Sequence, residues 1–371
     1  MASPQHPDPK QSGIGRRDFL RGAVAAGAGL AAHVAGRAHG AESDLERRNE
    51  KPGIVYRRLG RTNFAVSALG VGGYILTAER MPLFEAAVDR GVNFIMAHAG
   101  KCVEALGPWL KKPGNRERIF LGLAGETRTV DAQLRKLGTD CIDLLMVPIH
   151  SAEPVLQEEL PKAFAALKKA GKARFLCLVF HANVPAVWRN GLKVDWFDAF
   201  LPVYNMASRD SLKPLVAQTT QKDIGLLAMK TLKGMPKGKD PLPTWKAFLA
   251  DGFASILKGI TSTTELDLYL RVAAKDDRTA ARADRFDCSG ECTLCGACDA
   301  CPNGVAIQDI LRTWQYYGRQ LGWTDEARDQ YAAIPATSQA PVCADCGRCE
   351  RVCVRGLAVR RLVREAHAAL A

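Results

Sequence analysis

Short apolar runs alternate with amphipathic segments between residues 55 and 275. The runs are almost continuously apolar and rich in Val, Ile, Leu and Phe; they cover 66–72, 93–97, 119–124, 141–147, 174–180, 199–204, 225–229 and 254–260. Strands that are buried on both faces of a parallel sheet have this composition. The segments 83–90 and 156–170 carry apolar residues at helical spacing, and each is followed by a glycine suited to a helix C-cap.

Eight strands that alternate with helices predict an α/β fold. Their span of about 220 residues is the size of a (β/α)8 TIM barrel, which right-handed crossovers would close. The alternative is an open, doubly wound sheet. We predict the barrel over residues 55–275.

Nine of the twelve cysteines lie in the last 85 residues, and eight of them form two similar runs. Each run has three cysteines separated by two residues and a fourth close behind: Cys292, Cys295, Cys298 and Cys301, then Cys343, Cys346, Cys349 and Cys353. Three thiolates at this spacing can bind one [4Fe-4S] cluster, and the fourth usually crosses to the partner cluster. The spacing therefore predicts two clusters in a ferredoxin-like domain at 285–371, with Cys301 and Cys353 exchanged between the runs.

Zinc binding and disulfide formation are the two alternatives to iron–sulfur clusters for these cysteines. Structural zinc sites are built from separated cysteine pairs rather than evenly spaced triplets. Disulfides suit an exported chain, but nine close cysteines, counting Cys288, would leave one unpaired and strain the others. Cys288 is the spare thiol in the cluster interpretation, and Cys102, Cys141 and Cys177 are expected to be core thiols.

The first 40 residues have the pattern of a twin-arginine signal peptide. Arg16 and Arg17 precede Phe19-Leu20, a weakly apolar stretch follows at 22–36, and Ala38-His39-Gly40 offers small residues for cleavage. The alternative is a disordered basic tail, and the stretch is too short for a membrane span. Since this route exports folded proteins, we expect a periplasmic protein whose clusters are inserted beforehand.

Charge and composition narrow the class of partner. The 371 residues are 47% hydrophobic, enough for a large core and an appended module, and the net charge is +12. No basic stripe is interleaved with aromatic residues, so nucleic acid is not expected. The positive charge is consistent with binding to an electron-transfer protein with an acidic surface, with binding to an anionic membrane face, or with a merely solvated surface.

Several segments resemble the aldo-keto reductase superfamily. They include YRRLGRT at 56–62, VSALGVGG at 66–73, LGTDCIDL at 137–144 and IGLLAMK at 224–230. Phe180-His181 and the pattern at 292–302 resemble a subgroup with a C-terminal ferredoxin-like extension. The resemblance implies a barrel whose bottom is closed by a small hairpin. It also implies hydride transfer from NADPH to a carbonyl, with a tyrosine acid assisted by lysine, histidine and aspartate.

The expected catalytic tetrad departs from that pattern. Met96 stands at the aspartate position, Ala124 at the lysine position and Pro148 at the histidine position, with His150 two residues later. The loop at 97–101 contains no tyrosine. The ordinary mechanism needs an acid whose pKa a neighbouring cation lowers, so we expect it to be lost.

Polar residues nevertheless follow the predicted strands. His98, His150, His181, Asn205 and Lys230 lie at or just past strand C-termini, where barrel active sites are built. We predict His98, His150 and His181 as catalytic residues that supply protons or bind a metal. Ordinary loop and strand-end polar residues are the alternative.

The loops after the seventh and eighth strands resemble the superfamily's phosphate cradle. Lys230, Asn205, Thr261 and Ser262 are the predicted cofactor-binding residues, although hydroxyl residues there are also ordinary helix N-caps. No basic residue that would select a 2′-phosphate is evident. NADP(H) therefore stays open as a cofactor.

Two functions are consistent with the sequence. In the first, the protein is an exported oxidoreductase whose clusters exchange electrons with a small-molecule substrate at the barrel mouth. In the second, the barrel is catalytically silent and the chain is an electron-transfer or assembly subunit of a periplasmic redox partner. The strand-end histidines favour the first, whereas the loss of the tetrad and of a convincing nucleotide site favours the second.

Overall fold

Eight parallel strands close into a barrel, as the apolar runs predict. The computed structural model describes residues 44–73, 76–282 and 286–371. The barrel strands are β4 (Leu69–Gly72), β5 (Phe94–His98), β6 (Phe120–Ala124), β7 (Ile142–Pro148), β8 (Ala173–Phe180), β9 (Ala199–Pro202), β10 (Gly225–Ala228) and β11 (Ser255–Lys258). Each pairs in parallel with the next, and β11 pairs with β4.

A small sheet lies at the N-terminal ends of the barrel strands. It orders β1 (Glu46–Arg47), β3 (Phe64–Ser67) and β2 (Tyr56–Arg58), with β2 and β3 antiparallel. The predicted run 66–72 is therefore split at Ala68 between this sheet and the barrel. Phe64 stacks on Phe120 with ring centroids 4.2 Å apart, so the hairpin covers the barrel bottom, as the family resemblance implies.

Helices surround the barrel and continue into the cysteine-rich segment. They are Met81–Asp89, Lys101–Leu110, Val130–Leu137, Glu159–Lys169, Val184–Gly191, Arg209–Gln221, Leu242–Asp251, Thr263–Leu270, Ile307–Arg312, Thr324–Ala332, Arg348–Arg351 and Val359–Leu370. A π-helix, Thr313–Leu321, joins two of them. The helix after β4 ends before Gly91, whose φ of +99° favours glycine at this C-cap.

The cysteine-rich segment packs onto the barrel at the C-terminal ends of the strands. Residues 46–371 form one compact unit. The π-helix places Tyr316 and Tyr317 against Lys230, which follows β10. The barrel mouth is thus covered by residues that come between the two cysteine runs in sequence.

Two expectations concern the membrane and export. No helix within the described ranges is long and apolar enough to cross a bilayer. The predicted twin-arginine signal at 1–40 lies outside the described residues.

Candidate active site at the barrel mouth

A partly open cavity of about 530 Å³ lies at the C-terminal ends of the barrel strands. Its floor includes the apolar side chains of Met96, Leu201 and Leu257. The polar and aromatic groups on its walls are His98, His181, Lys230, Lys258, Tyr316, Tyr317 and Trp323. Two lysines, two histidines and two tyrosines therefore face one partly enclosed space, where charges interact more strongly than in water.

The structure brings the three predicted histidines to the same side of the mouth. His98 ends β5, and both His98 and His181 line the cavity. His150 lies beside His181, with ring centroids 5.3 Å apart, and its Nδ1 accepts a hydrogen bond from the His181 amide at 3.3 Å.

Burial keeps these histidines neutral. It lowers the pKa of His98 to about 4, with a further contribution from the Lys230 charge. Burial also lowers the pKa of His181 well below its usual value, and that of His150 to a lesser degree. At pH 7 the imidazoles can donate or accept a hydrogen bond, but they are not imidazolium acids.

Lys230 contacts a tyrosine that sequence reasoning missed. Its Nζ donates to the Tyr317 hydroxyl, and it lies 4.0 Å from the centroid of that ring. Tyr316 and Trp323 line the same cavity. The family resemblance implied a tyrosine in the loop after the second barrel strand, whereas this one is 87 residues beyond Lys230.

The other predicted cofactor-binding residues are engaged in their own turns. Asn205 is buried, and its Oδ1 accepts bonds from the Ala207 amide and the Ser208 hydroxyl. Ser262 accepts from the Glu265 amide at 3.1 Å as a helix N-cap. The Glu265 carboxylate in turn accepts from the amide and hydroxyl of Thr261. A carboxylate of the chain itself thus occupies these anion-binding donors, and a phosphate site there stays a prediction.

The three residues that the family resemblance places at tetrad positions lie within or at the end of barrel strands. Met96 is in β5 and lines the cavity, Ala124 ends β6, and Pro148 ends β7. None of these side chains can donate a proton.

The eight cysteines of the two runs surround two neighbouring cavities. One cavity, of about 500 Å³, is lined by Cys301, Cys343, Cys346, Cys349 and also Cys298. The other, of about 350 Å³, is lined by Cys292, Cys295, Cys298 and Cys353. Apart from Cys298, which lines both cavities, the lining cysteines group as the spacing predicts, and the clusters themselves stay a prediction. Cys288 lies outside both, and its thiol donates to the Gly234 carbonyl at 3.3 Å.

The cysteine donors suit a cluster better than one ion. Among the described residues, no three His, Cys, Asp or Glu side chains converge closely enough to hold a single metal ion. In a [4Fe-4S] cluster the four thiolates bind different irons, so they surround a volume rather than a point. Four thiols around each cavity therefore fit such a group.

The first cysteine run is held against the loop that follows β8. The Val184 amide donates to the Leu294 carbonyl at 3.0 Å. Gly296 has a φ of +88°, and a Cβ there would overlap the Asn183 amide, so only glycine fits. Asn183 is two residues beyond His181, which places this cysteine loop at the edge of the barrel mouth.

Known proteins match the barrel. Residues 66–243 match the aldo/keto reductase family. An aldo-keto reductase of Strobilurus tenacellus is 33% identical over 140 residues, which is 32% of this chain and 41% of that protein. An NADP(+) aldo-keto reductase of Schizosaccharomyces pombe is 32% identical over 159 residues, 34% of this chain and 45% of that protein. The chain thus spans less than half the length of these curated relatives.

Solved structures support the fold. A putative aldo-keto reductase from Pseudomonas aeruginosa has a TM-score of 0.50 and 25% identity, with 61% of this chain and 96% of that chain covered. A Bacillus halodurans aldo-keto reductase in its holo form also has a TM-score of 0.50, with 18% identity and coverage of 62% and 98%. Residues 66–243 therefore match the aldo/keto reductase family, and the closed eight-stranded barrel agrees with that match.

Proposed function

We propose that this protein is an exported iron–sulfur oxidoreductase with a non-standard active site at the barrel mouth. The observation that carries the proposal is the arrangement of the two four-cysteine cavities. They share Cys298 on their walls, and the loop of the first run is bonded to the barrel beside His181. Redox groups in these cavities would form a continuous path from the protein surface to the barrel mouth.

Each cavity would hold one [4Fe-4S] cluster, which supplies one-electron transfer when bound. Cys292, Cys295, Cys298 and Cys353 are the ligands next to the barrel. Cys301, Cys343, Cys346 and Cys349 are the ligands of the outer site, and Cys346 is exposed. The outer cavity is therefore the side on which electrons would enter or leave.

The barrel-mouth residues would orient a substrate and manage its protons. The Tyr317 hydroxyl, in contact with Lys230, is a neutral donor that faces the cavity. His98 and His181 are also neutral and can hydrogen-bond a reacting oxygen. With Met96, Ala124 and Pro148 at the tetrad positions, we expect NADPH-dependent carbonyl reduction at background level.

A patch beside the cysteines suits an electron-transfer partner. Among the described residues, the exposed large apolar side chains are Leu156, Val352 and Val354, and the two valines flank Cys353. Arg348, Arg351 and Arg355 are exposed around them. A small apolar patch ringed by arginines fits a partner with an acidic surface. Val354→Glu should slow electron exchange with an acidic ferredoxin and leave exchange with a small neutral dye unchanged.

The cluster content provides the direct test of the proposal. Anaerobically purified protein should contain about eight irons and eight acid-labile sulfides, with little zinc. Cys353→Ser should lose about half of the iron, because it removes one ligand of one cluster. Cys288→Ser is the matched control and should keep all of it. Stoichiometric zinc, or cysteines found entirely as disulfides by mass spectrometry, would refute the assignment.

The catalytic half of the proposal has a separate test. Dye-linked turnover of a substrate should require iron and should fall when His150 or His181 is replaced by Ala. Steady NADPH oxidation with a simple aldehyde would contradict the loss of the ordinary mechanism. Full dye-linked turnover in a variant that lacks both histidines would favour the silent-barrel function.

A further inference from the structure

Two lysines line the barrel-mouth cavity without a carboxylate on its walls. Lys230 follows β10 and Lys258 ends β11, and both face the same space. The lining residues include neither Asp nor Glu. Within the part of the chain that the structure describes, neither lysine forms an ion pair. Buried cations usually have such a partner, so the missing charge is expected to come from a ligand.

Lys258 is the more strongly buried of the two. It is 3% exposed, and its Nζ donates only to the Gly259 carbonyl at 3.0 Å. The rings of Tyr269 and Trp323 lie 5.4 and 5.3 Å from this Nζ, and their faces give a weak attraction. Burial lowers the pKa of Lys258 to about 8, despite the attraction of the Glu265 charge. An anion in the cavity would restore that pKa.

Lys230 is held in an unusual backbone conformation. Its φ is +56°, in the left-handed region that non-glycine residues seldom adopt. Strain of this kind persists only where the surroundings enforce it, and it is concentrated at ligand sites. The conformation directs the side chain towards the Tyr317 hydroxyl and the cavity.

We infer that the barrel mouth binds a small organic acid, with its carboxylate between Lys230 and Lys258. Its carbon skeleton would lie on Met96 and Leu257, beneath the aromatic cover of the π-helix. A phosphate group would draw on hydroxyl and amide donors, but the amide and hydroxyl of Thr261 already donate to the Glu265 carboxylate, and the Ser262 hydroxyl accepts from the Glu265 amide. A carboxylate with an apolar body matches both the charge and the walls of this cavity.

The inference deepens the proposed barrel-mouth function but does not depend on the clusters. Binding can be measured by calorimetry on the full-length protein as purified, with acetate, pyruvate, succinate and benzoate as probes. Acetamide and benzamide are the matched neutral ligands. Iron content measured on the same sample tests the cluster assignment independently, so either proposal can fail without the other.

Lys258→Met should weaken carboxylate binding between about tenfold and a hundredfold, since a hydrogen bond to a charged group is lost. Lys230→Met should act in the same direction. Lys237→Met removes the same charge from an exposed position outside the cavity and should bind as the parent protein does. The amides should bind more weakly than the acids by a similar factor.

A second measurement needs no variant. Saturating benzoate should protect Lys230 and Lys258 of the native protein from reductive methylation, while Lys237 reacts as before. Equal binding of benzoate and benzamide, or no protection of either lysine by any of the acids, would overturn the inference. Inorganic phosphate or NADPH that binds more tightly than every carboxylate, with the same lysine dependence, would overturn the carboxylate assignment.

Discussion

A buried lysine joins the barrel to the first cysteine run, and its replacement should affect both. Lys233 follows β10 and is 1% exposed. Its Nζ contacts the Glu291 carboxylate and donates to the Gln315 side-chain oxygen at 2.8 Å. The same oxygen accepts from the Cys292 amide at 3.0 Å. The network thus orients the backbone of a predicted cluster ligand from the barrel side.

The cost of Lys233→Met can be worked out from these contacts. The variant loses a charged hydrogen bond and leaves Glu291 without its cation. Breaking a buried pair in this way costs about 3–5 kcal/mol. The Glu291 side chain is 20% exposed and can be partly hydrated, so we expect the low end, about 3 kcal/mol. At about 2 °C per kcal/mol in a chain of this size, the melting temperature should fall by about 6 °C.

Thermal unfolding of anaerobic protein, followed by circular dichroism, measures this shift. Iron and sulfide assayed on the same sample should also fall, because the Cys292 loop is no longer held. The exposed Lys237→Met is the control and should change neither quantity. In a double variant with Glu291→Gln, part of the stability should return, since no unpaired carboxylate remains. A shift below about 1 °C with full iron would refute the reasoning, as would a double variant whose loss equals the sum of the single losses.

Three further predictions concern other parts of the chain. Replacing Arg16 and Arg17 with lysine should leave the protein in the cytosol on cell fractionation, because a receptor reads the pair and charge alone does not suffice; periplasmic delivery of the double variant would show that the motif is incidental. Asp143 is fully buried and bonded to the guanidinium groups of Arg48, Arg116 and Arg174, so Asp143→Asn should lower the free energy of unfolding by about 3–5 kcal/mol in urea titrations. The surface variant Asp325→Asn should have no such effect, and a loss below about 1 kcal/mol in Asp143→Asn would contradict this role. Carboxylate affinity should fall as the pH rises through about 8, because the anion requires protonated Lys258, whose pKa is about 8 beside Lys230, Glu265 and Tyr269, and burial lowers the pKa of Lys230 as well. Calorimetry from pH 6 to 10 checks this, and a flat profile would exclude Lys258 as the anion's partner.

The barrel could be predicted because its determinants are local. A strand buried on both faces needs a continuous apolar run, and seven of the eight runs coincide with barrel strands to within two residues. The remaining run, 66–72, was wrong in part because Ala68 separates two strands that are both buried, and the one polar residue beside it, Ser67, is buried as well. The spacing within each cysteine run is also local and predicts which three thiols would share a cluster, whereas the exchange of Cys301 and Cys353 joins cysteines distant in sequence.

Tertiary structure decided which side chains share the candidate active site at the barrel mouth. His98, His181 and Lys230 were predicted from strand ends, because parallel strands in a barrel all end at the same face. The charge states of these side chains could not be predicted, because pKa values depend on burial by residues distant in sequence. The sequence also could not show whether Thr261 and Ser262 contact a phosphate or Glu265, because this depends on the three-dimensional arrangement of the helix N-terminus.

Tyr316, Tyr317 and Trp323 illustrate why the rest of the candidate site could not be predicted from the sequence. Nothing in their neighbourhood marks them as active-site residues, because they are separated from the barrel strands by the first cysteine run. They reach the mouth only because the cysteine-rich segment docks through Lys233, Glu291 and Gln315 and through the loop after β8. Local patterns in the sequence therefore determined the strands, the helices and the spacing of the cysteines. The docking of one segment on another, which depends on surfaces formed only after folding, decided which side chains share the cavity.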